Sequence, residues 1–254
     1  FGTQIFRTGA AMPFGVSFIQ ETTVFREFGP VSGNTMRFGY QYAPTIGSNL
    51  LGKQTLDADA RYYLRLGETG LLALRGRAFK SIGDFPDFLY FGGNSEMRGF
   101  EYLEFIGHNV AFFNAELRFP LIEAMLTPIG VLGGVRGTFF FDVGGAGLAG
   151  QPFTMFSRTA ETLTPTIGFG FDPVANEYSQ VFGNPTTVSG FRLVDGRASY
   201  GIGLSTSVIG IPLHFDWSWR TLFNENWEDL LFATQGGSAF FRRPRFDFWM
   251  GYDF

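Results

Sequence analysis

Along most of this chain apolar and polar residues alternate with period 2, and the alternation sets bulky aromatics against charges. In Gln54–Leu66, Leu56, Ala58, Ala60, Tyr62, Leu64 and Leu66 fall on one face; Asp57, Asp59, Arg61, Tyr63 and Arg65 fall on the other. Successive side chains of a strand point to opposite faces, so such a segment is a strand between two unlike environments. The pattern returns over 197–208, where Ala198, Tyr200, Ile202, Leu204, Thr206 and Val208 oppose Arg197, Ser199, Gly201, Gly203, Ser205 and Ser207. Over 211–221, Leu213, Phe215, Trp217 and Trp219 oppose His214, Asp216, Ser218 and Arg220. The end of the chain alternates Phe246, Phe248, Met250, Tyr252 and Phe254 with Arg245, Asp247, Trp249, Gly251 and Asp253. Further strands are expected at 35–45, 70–82, 108–119 and 134–146. A strand at 15–28 slips its alternation near Thr22, and 2–9 is a partial strand, which makes nine or ten in all.

The connections alternate in length. Short ones fall at 29–34, 67–70 and 209–211, long ones at 83–107, 147–195 and 222–243, and the turn at 120–133 is intermediate. Asn224–Phe232, inside the last long connection, has the pattern of a short helix. The whole of 1–254 reads as one β-barrel domain with no linker.

Composition decides which face is the core. The chain has 33 Phe, 9 Tyr and 4 Trp, no Cys, and 17% charged residues, below the roughly 25% of a soluble domain. No disulfide framework or Cys-based zinc site can form. The aromatic content argues against disorder, and 35 Gly with so many aromatics argue against a helical bundle. No apolar run is long enough for a transmembrane helix, and a net charge of −4 gives no reason to expect nucleic acid. A soluble sandwich would turn the apolar face inward. Here that face is too bulky for a small interior, and charges sit at strand centres opposite it. The inverted arrangement accommodates both: aromatics face lipid and polar residues line the lumen. In lipid every backbone group must be paired, so the fold expected is all-β, a transmembrane antiparallel barrel of the outer-membrane type. Phe254, Tyr252 and Gly251 at the C-terminus look like the C-terminal signal of bacterial outer-membrane barrels.

Three motifs then stand in order. The loop at 83–107 contains Gly92-Gly93-Asn94-Ser95-Glu96-Met97-Arg98-Gly99-Phe100. The next strand reads Gly107-His108-Asn109, then Asn114-Ala115-Glu116-Leu117-Arg118-Phe119-Pro120. The strand after it carries Phe140-Phe141-Asp142-Val143-Gly144. Together they resemble the bacterial surface-antigen barrel family of BamA-type assembly factors and two-partner secretion transporters, closely over 92–144 and more loosely to Phe254. The resemblance implies that Arg98, Gly99 and Phe100 form the tip of a loop inserted in the lumen. It implies that Phe140, Asp142 and Gly144, with Glu116, hold that tip. By parity Asp142 and Glu116 both face inward, and a buried guanidinium needs such partners. Gly99 would permit the tight turn and Gly144 the close approach of the loop.

The resemblance also implies sixteen strands, so the chain is expected to be the C-terminal part of a larger barrel; Phe1 is not an initiator Met. It implies insertion or translocation of polypeptides at the bacterial outer membrane, without cofactor, metal or energy source. The implied partners are outer-membrane lipid, unfolded outer-membrane or secreted polypeptides, and periplasmic accessory proteins. A barrel anchor or passive pore serving an upstream periplasmic domain is the alternative. A barrel hydrolase is a further one and is disfavoured: His214 and Asp216 share a face as a dyad or, equally, as a wall contact, and His108 reads as a rim residue. Gly145–Gly150 matches G-x-G-x-x-G, but Gln151-Pro152 follows and no helix opens there, so a flexible loop is expected. Asp57 with Asp59, and Asp84 with Asp87, are cation candidates only as any carboxylate pair is.

Overall fold

In the computed structural model, which describes residues 10–26, 29–47, 50–94, 96–127, 130–173, 176–208 and 211–251, the alternating segments form one antiparallel wall. Its strands are β1 (Phe14–Glu21), β2 (Gly29–Ala43), β3 (Lys53–Leu66), β4 (Gly70–Gly83), β5 (Asn109–Thr127), β6 (Gly130–Gly147), β7 (Gly196–Val208), β8 (Ile211–Thr221) and β9 (Arg245–Met250). Each pairs with its successor in the chain, and a short strand at Val24–Arg26 joins β2 to make the sheet ten-stranded. Among the described residues β1 and β9 are the edges, each paired with one neighbour.

The two faces differ as the alternation requires. Tyr200, Ile202 and Leu204 of β7 are exposed, and so are Phe246, Phe248 and Met250 of β9. On the opposite face Arg75, Asn114, Glu116, Arg118, Asp142 and Asp216 are buried. A soluble domain does the reverse. An exposed aromatic face backed by buried charges suits acyl chains outside and a polar lumen inside. None of the described helices is long and apolar enough to cross a membrane.

Several boundaries differ from the sequence expectation. The segment 29–34 is strand, not turn: β2 begins at Gly29 and pairs with Val24–Arg26. The slip near Thr22 is real, because the strand is interrupted between Glu21 and Val24 and the register then shifts between Val24 and Phe25. The segment 120–133 is no intermediate turn, since β5 runs to Thr127 and β6 starts at Gly130. Pro120 has no N–H to give the ladder, and the register shifts between Pro120 and Ile122, which disguised the continuation. The strand expected at 2–9 lies outside the described residues.

The three long connections leave the same end of the wall and pack together. The first contains a short pairing of Leu89–Phe91 with Phe105–Gly107. The second, expected as loop, is largely a hairpin: Phe156–Ser157 pairs with Arg192–Leu193, Glu161–Leu163 with Thr186–Val188, and Thr166–Asp172 with Glu177–Phe182. The third holds α1 (Glu225–Leu231), where Asn224 caps the helix by accepting the Trp227 N–H at 3.1 Å, and α2 (Gly237–Phe241). Trp227 Nε1 donates to Leu193 O at 2.8 Å, which ties the third connection to the second. The apolar core lies beneath these connections, with Phe91, Met97, Phe100 and Phe112 continuous with Leu193, Leu222, Trp227 and Phe241. Ala198 shares parity with lipid-facing Tyr200, yet it is fully covered by this cluster; the outer face is open only below the connections.

Candidate functional site

The first long connection folds onto the charged face of the wall. Gly92 and Gly93, both at positive φ, and Asn94 at φ +43° reverse the chain there. The Gly93 amide donates to Met97 O at 3.1 Å and the Glu96 amide to Gly93 O at 3.0 Å. This small knot delivers Met97, Arg98, Gly99 and Phe100 to the wall, where Met97 and Phe100 enter the apolar core.

Arg98 is 3% exposed. Its Nε and Nη2 donate to the two oxygens of Asp142 at 2.8 and 2.7 Å, and its own amide donates to Asp142 Oδ2 at 3.1 Å. Nη1 lies 2.6 Å from Glu116 Oε1. Below the guanidinium plane the Phe140 ring centroid is 3.8 Å away. One side chain thus uses a planar fork, a third charged donor and an aromatic face at once, which a Lys ammonium could not reproduce. Arg98, Gly99, Phe100, Glu116, Phe140 and Asp142 are therefore close together in space.

The wall supplies these partners by register. Asn114 pairs with Asp142 across β5 and β6, and Glu116 pairs with Phe140. Asn114 Nδ2 donates to Asp142 Oδ1 at 2.9 Å and to Glu96 O at 2.6 Å, so it binds wall and loop together. Arg118 Nε donates to Glu116 Oε2 at 2.7 Å. Asn114 and Arg118 stand in the motif around Glu116, but sequence reasoning gave them no part in the site. The signal was their parity with Glu116. The result is two guanidiniums matched to two carboxylates, all buried. Such a cluster persists only when its charges balance and its hydrogen bonds are made.

Two glycines set the approach. Gly99 sits at φ +82°, and a Cβ there would lie 2.7 Å from Ser218 Oγ on β8. A Cβ on Gly144 would lie 2.6 Å from Phe112 Cβ and 3.1 Å from the Phe91 ring. That ring stacks on Phe105 at 4.9 Å and on Phe112 at 5.0 Å, so Gly144 leaves room for the loop's aromatic stem.

The other candidates are engaged elsewhere. His214 stacks on Trp249 at 3.8 Å with its Nε2 2.9 Å from Gly251 O, and Asp216 accepts from Trp249 Nε1 at 2.8 Å. Both meet the last strand through Trp249. His108 is buried at the rim, where its Nδ1 accepts the Ala149 N–H at 2.9 Å; burial lowers its pKa. Asp57 pairs with Arg77 at 3.1 Å, and Asp59 with Arg61 and Arg75 at 3.0 Å each. Lys53 holds Asp87 at 2.6 Å, and Asp84 accepts the Gly52 N–H at 3.0 Å. Among the described residues no group of three or more His, Asp or Glu is placed to hold a metal ion. Gly145, Ala146 and Gly147, expected as a flexible loop, end strand β6; a Cβ on Gly145 would lie 2.9 Å from Asp195 O, so the close neighbouring chain explains the glycine. Gly251 donates its amide to Pro212 O at 3.2 Å, while Tyr252 and Phe254 lie outside the described residues.

The family model of the Omp85 superfamily domain matches residues 19–254. No curated protein matches the chain.

Proposed function

Because the chain belongs to the Omp85 superfamily, whose members insert or translocate polypeptides at the outer membrane, we propose that it handles unfolded polypeptides through this barrel wall, with the Arg98 loop as its internal fixed point. The observation that carries the reading is the burial of Arg98 between Asp142 and Glu116 on the polar face. A loop that merely crossed the barrel mouth would not need a guanidinium taken out of water, because desolvating it is costly without matched partners. The same anchorage supports a working loop, since its ion pairs can break and re-form without a covalent step. Its clients on this reading are outer-membrane or secreted polypeptides delivered by periplasmic accessory proteins. No bound cofactor enters the reading.

The test is reconstitution of the full-length protein in vesicles with an unfolded outer-membrane polypeptide presented from one side. Protease-protected client should accumulate with the natural loop and fall at least tenfold with Arg98→Ala. Equal accumulation with both proteins, while single-channel conductance rises on loop loss, would instead assign a pore or anchor role.

A further inference from the structure

Among the described residues strand β9 pairs with β8 over six positions, Arg245 opposite Ser218 to Met250 opposite Leu213, and has no neighbour on its other side. A strand paired on one side has half the ladder of an inner strand to hold it. Its outward residues, Phe246, Phe248 and Met250, are exposed, and Phe246 and Phe248 pack across to β8 against Trp217 at 5.1 Å and Phe215 at 5.2 Å. Its inward residues reach beyond β8 as well. Trp249 bonds Asp216 and stacks on His214, both of β8. The other two meet the lumen loop: Arg245 forms an ion pair with Glu101, and the Asp247 carboxylate faces the Gly99 backbone. Gly99 and Glu101 flank Phe100, three residues or fewer from the Arg98 anchor.

We infer that Glu101 and Arg245, with Gly99 and Asp247, are positioning residues through which the anchored loop holds the edge strand β9. The loop is thus fixed at two walls, by Arg98 to β5 and β6 and by Glu101 and Gly99 to β9. Freeing the loop frees the edge strand. The tether is drawn from these contacts, whereas its consequence, control of where a polypeptide meets the sheet edge, rests on the proposed function.

Hydrogen exchange of the β9 amides tests the tether in the full-length protein in lipid nanodiscs. An exposed ion pair contributes modestly, so Glu101→Gln and Arg245→Gln should each speed exchange over 245–250 about two- to fivefold. Arg98→Ala should do so more strongly, and neither surface variant should alter exchange over β7. The charge swap Glu101→Arg with Arg245→Glu should return exchange toward the natural rate, which loss of an unspecific contact would not. Because the chain has no Cys, Glu101→Cys with Arg245→Cys offers a second readout: oxidation should join loop to strand. Unchanged β9 exchange in both single variants, no rescue by the swap, or no cross-link would each overturn the tether. Loss of client insertion with normal β9 exchange would count against the proposed function and leave the tether standing.

Discussion

The Arg98 guanidinium meets the Asp142 carboxylate edge to edge, at 2.8 and 2.7 Å, while the Arg98 amide reaches the same carboxylate at 3.1 Å. Side chain and backbone of one loop residue thus share one wall carboxylate. The loop's position is set as firmly as that of the strand carrying Asp142.

Removing the cation leaves Asp142 and Glu116 buried with one neighbouring guanidinium, Arg118, which bonds Glu116. Arg98→Ala should therefore destabilise the loop and the adjoining β5 and β6 by about 3–5 kcal/mol, the range for breaking one partner of a buried pair. Denaturant unfolding from lipid vesicles measures this. Arg98→Lys keeps the charge but loses the fork, and should recover less than half of the loss.

Arg98 and Asp142 should also be energetically coupled. Replacing both by Ala should cost less than the sum of the single replacements, by about 0.5–3 kcal/mol. A control cycle of Arg98 with Asp57, which binds Arg77 instead, should show additivity.

Gly144→Val tests the steric approach independently of charge. The added side chain meets Phe112 and Phe91, so the aromatic stem of the loop must shift. Limited proteolysis should cut within 84–104 faster in the variant, while cutting in the 148–195 connection stays unchanged.

His108 provides a pH dependence with a definite sign. Burial lowers its pKa below 6.5, so the folded rim favours the neutral ring that accepts the Ala149 N–H. That contribution is complete above the unfolded pKa and is lost as pH falls through the lower folded value. The Ala149 amide should therefore exchange faster at pH 5 than at pH 7.5 after correction for intrinsic rates. His108→Asn, which also accepts, should flatten the difference.

The wall was legible because lipid and lumen impose opposite demands on alternate residues, and period 2 survives over β3, β7 and β8. The arginine and its two carboxylates were legible through the resemblance of the motifs over 92–144; the inward parity of Glu116 and Asp142 agrees with it but is shared by other wall carboxylates such as Asp57 and Asp59. Pro120 broke the alternation and hid eight further residues of β5, 120–127. The second connection was missed because its strands are only two to seven residues long; over 166–172 Ile167, Phe169 and Phe171 do alternate with Thr166, Gly168, Gly170 and Asp172, but too briefly to stand out from a loop. Asn114 escaped notice as a site residue because its two acceptors, Asp142 and the Glu96 carbonyl, come from separate parts of the chain. The β9 tether was invisible for the same reason, since Glu101 and Arg245 are 144 residues apart.

The inverted wall is tested most directly by nitroxide scanning. Single Cys placed at each residue 199–204 of the Cys-free chain can be spin-labelled in vesicles, and collision with oxygen compared with a water-soluble nickel complex. Labels at 200, 202 and 204 should favour oxygen and those at 199, 201 and 203 should not, giving a period of 2. A uniform response along the strand, or the opposite phase, would contradict a lipid-facing aromatic surface.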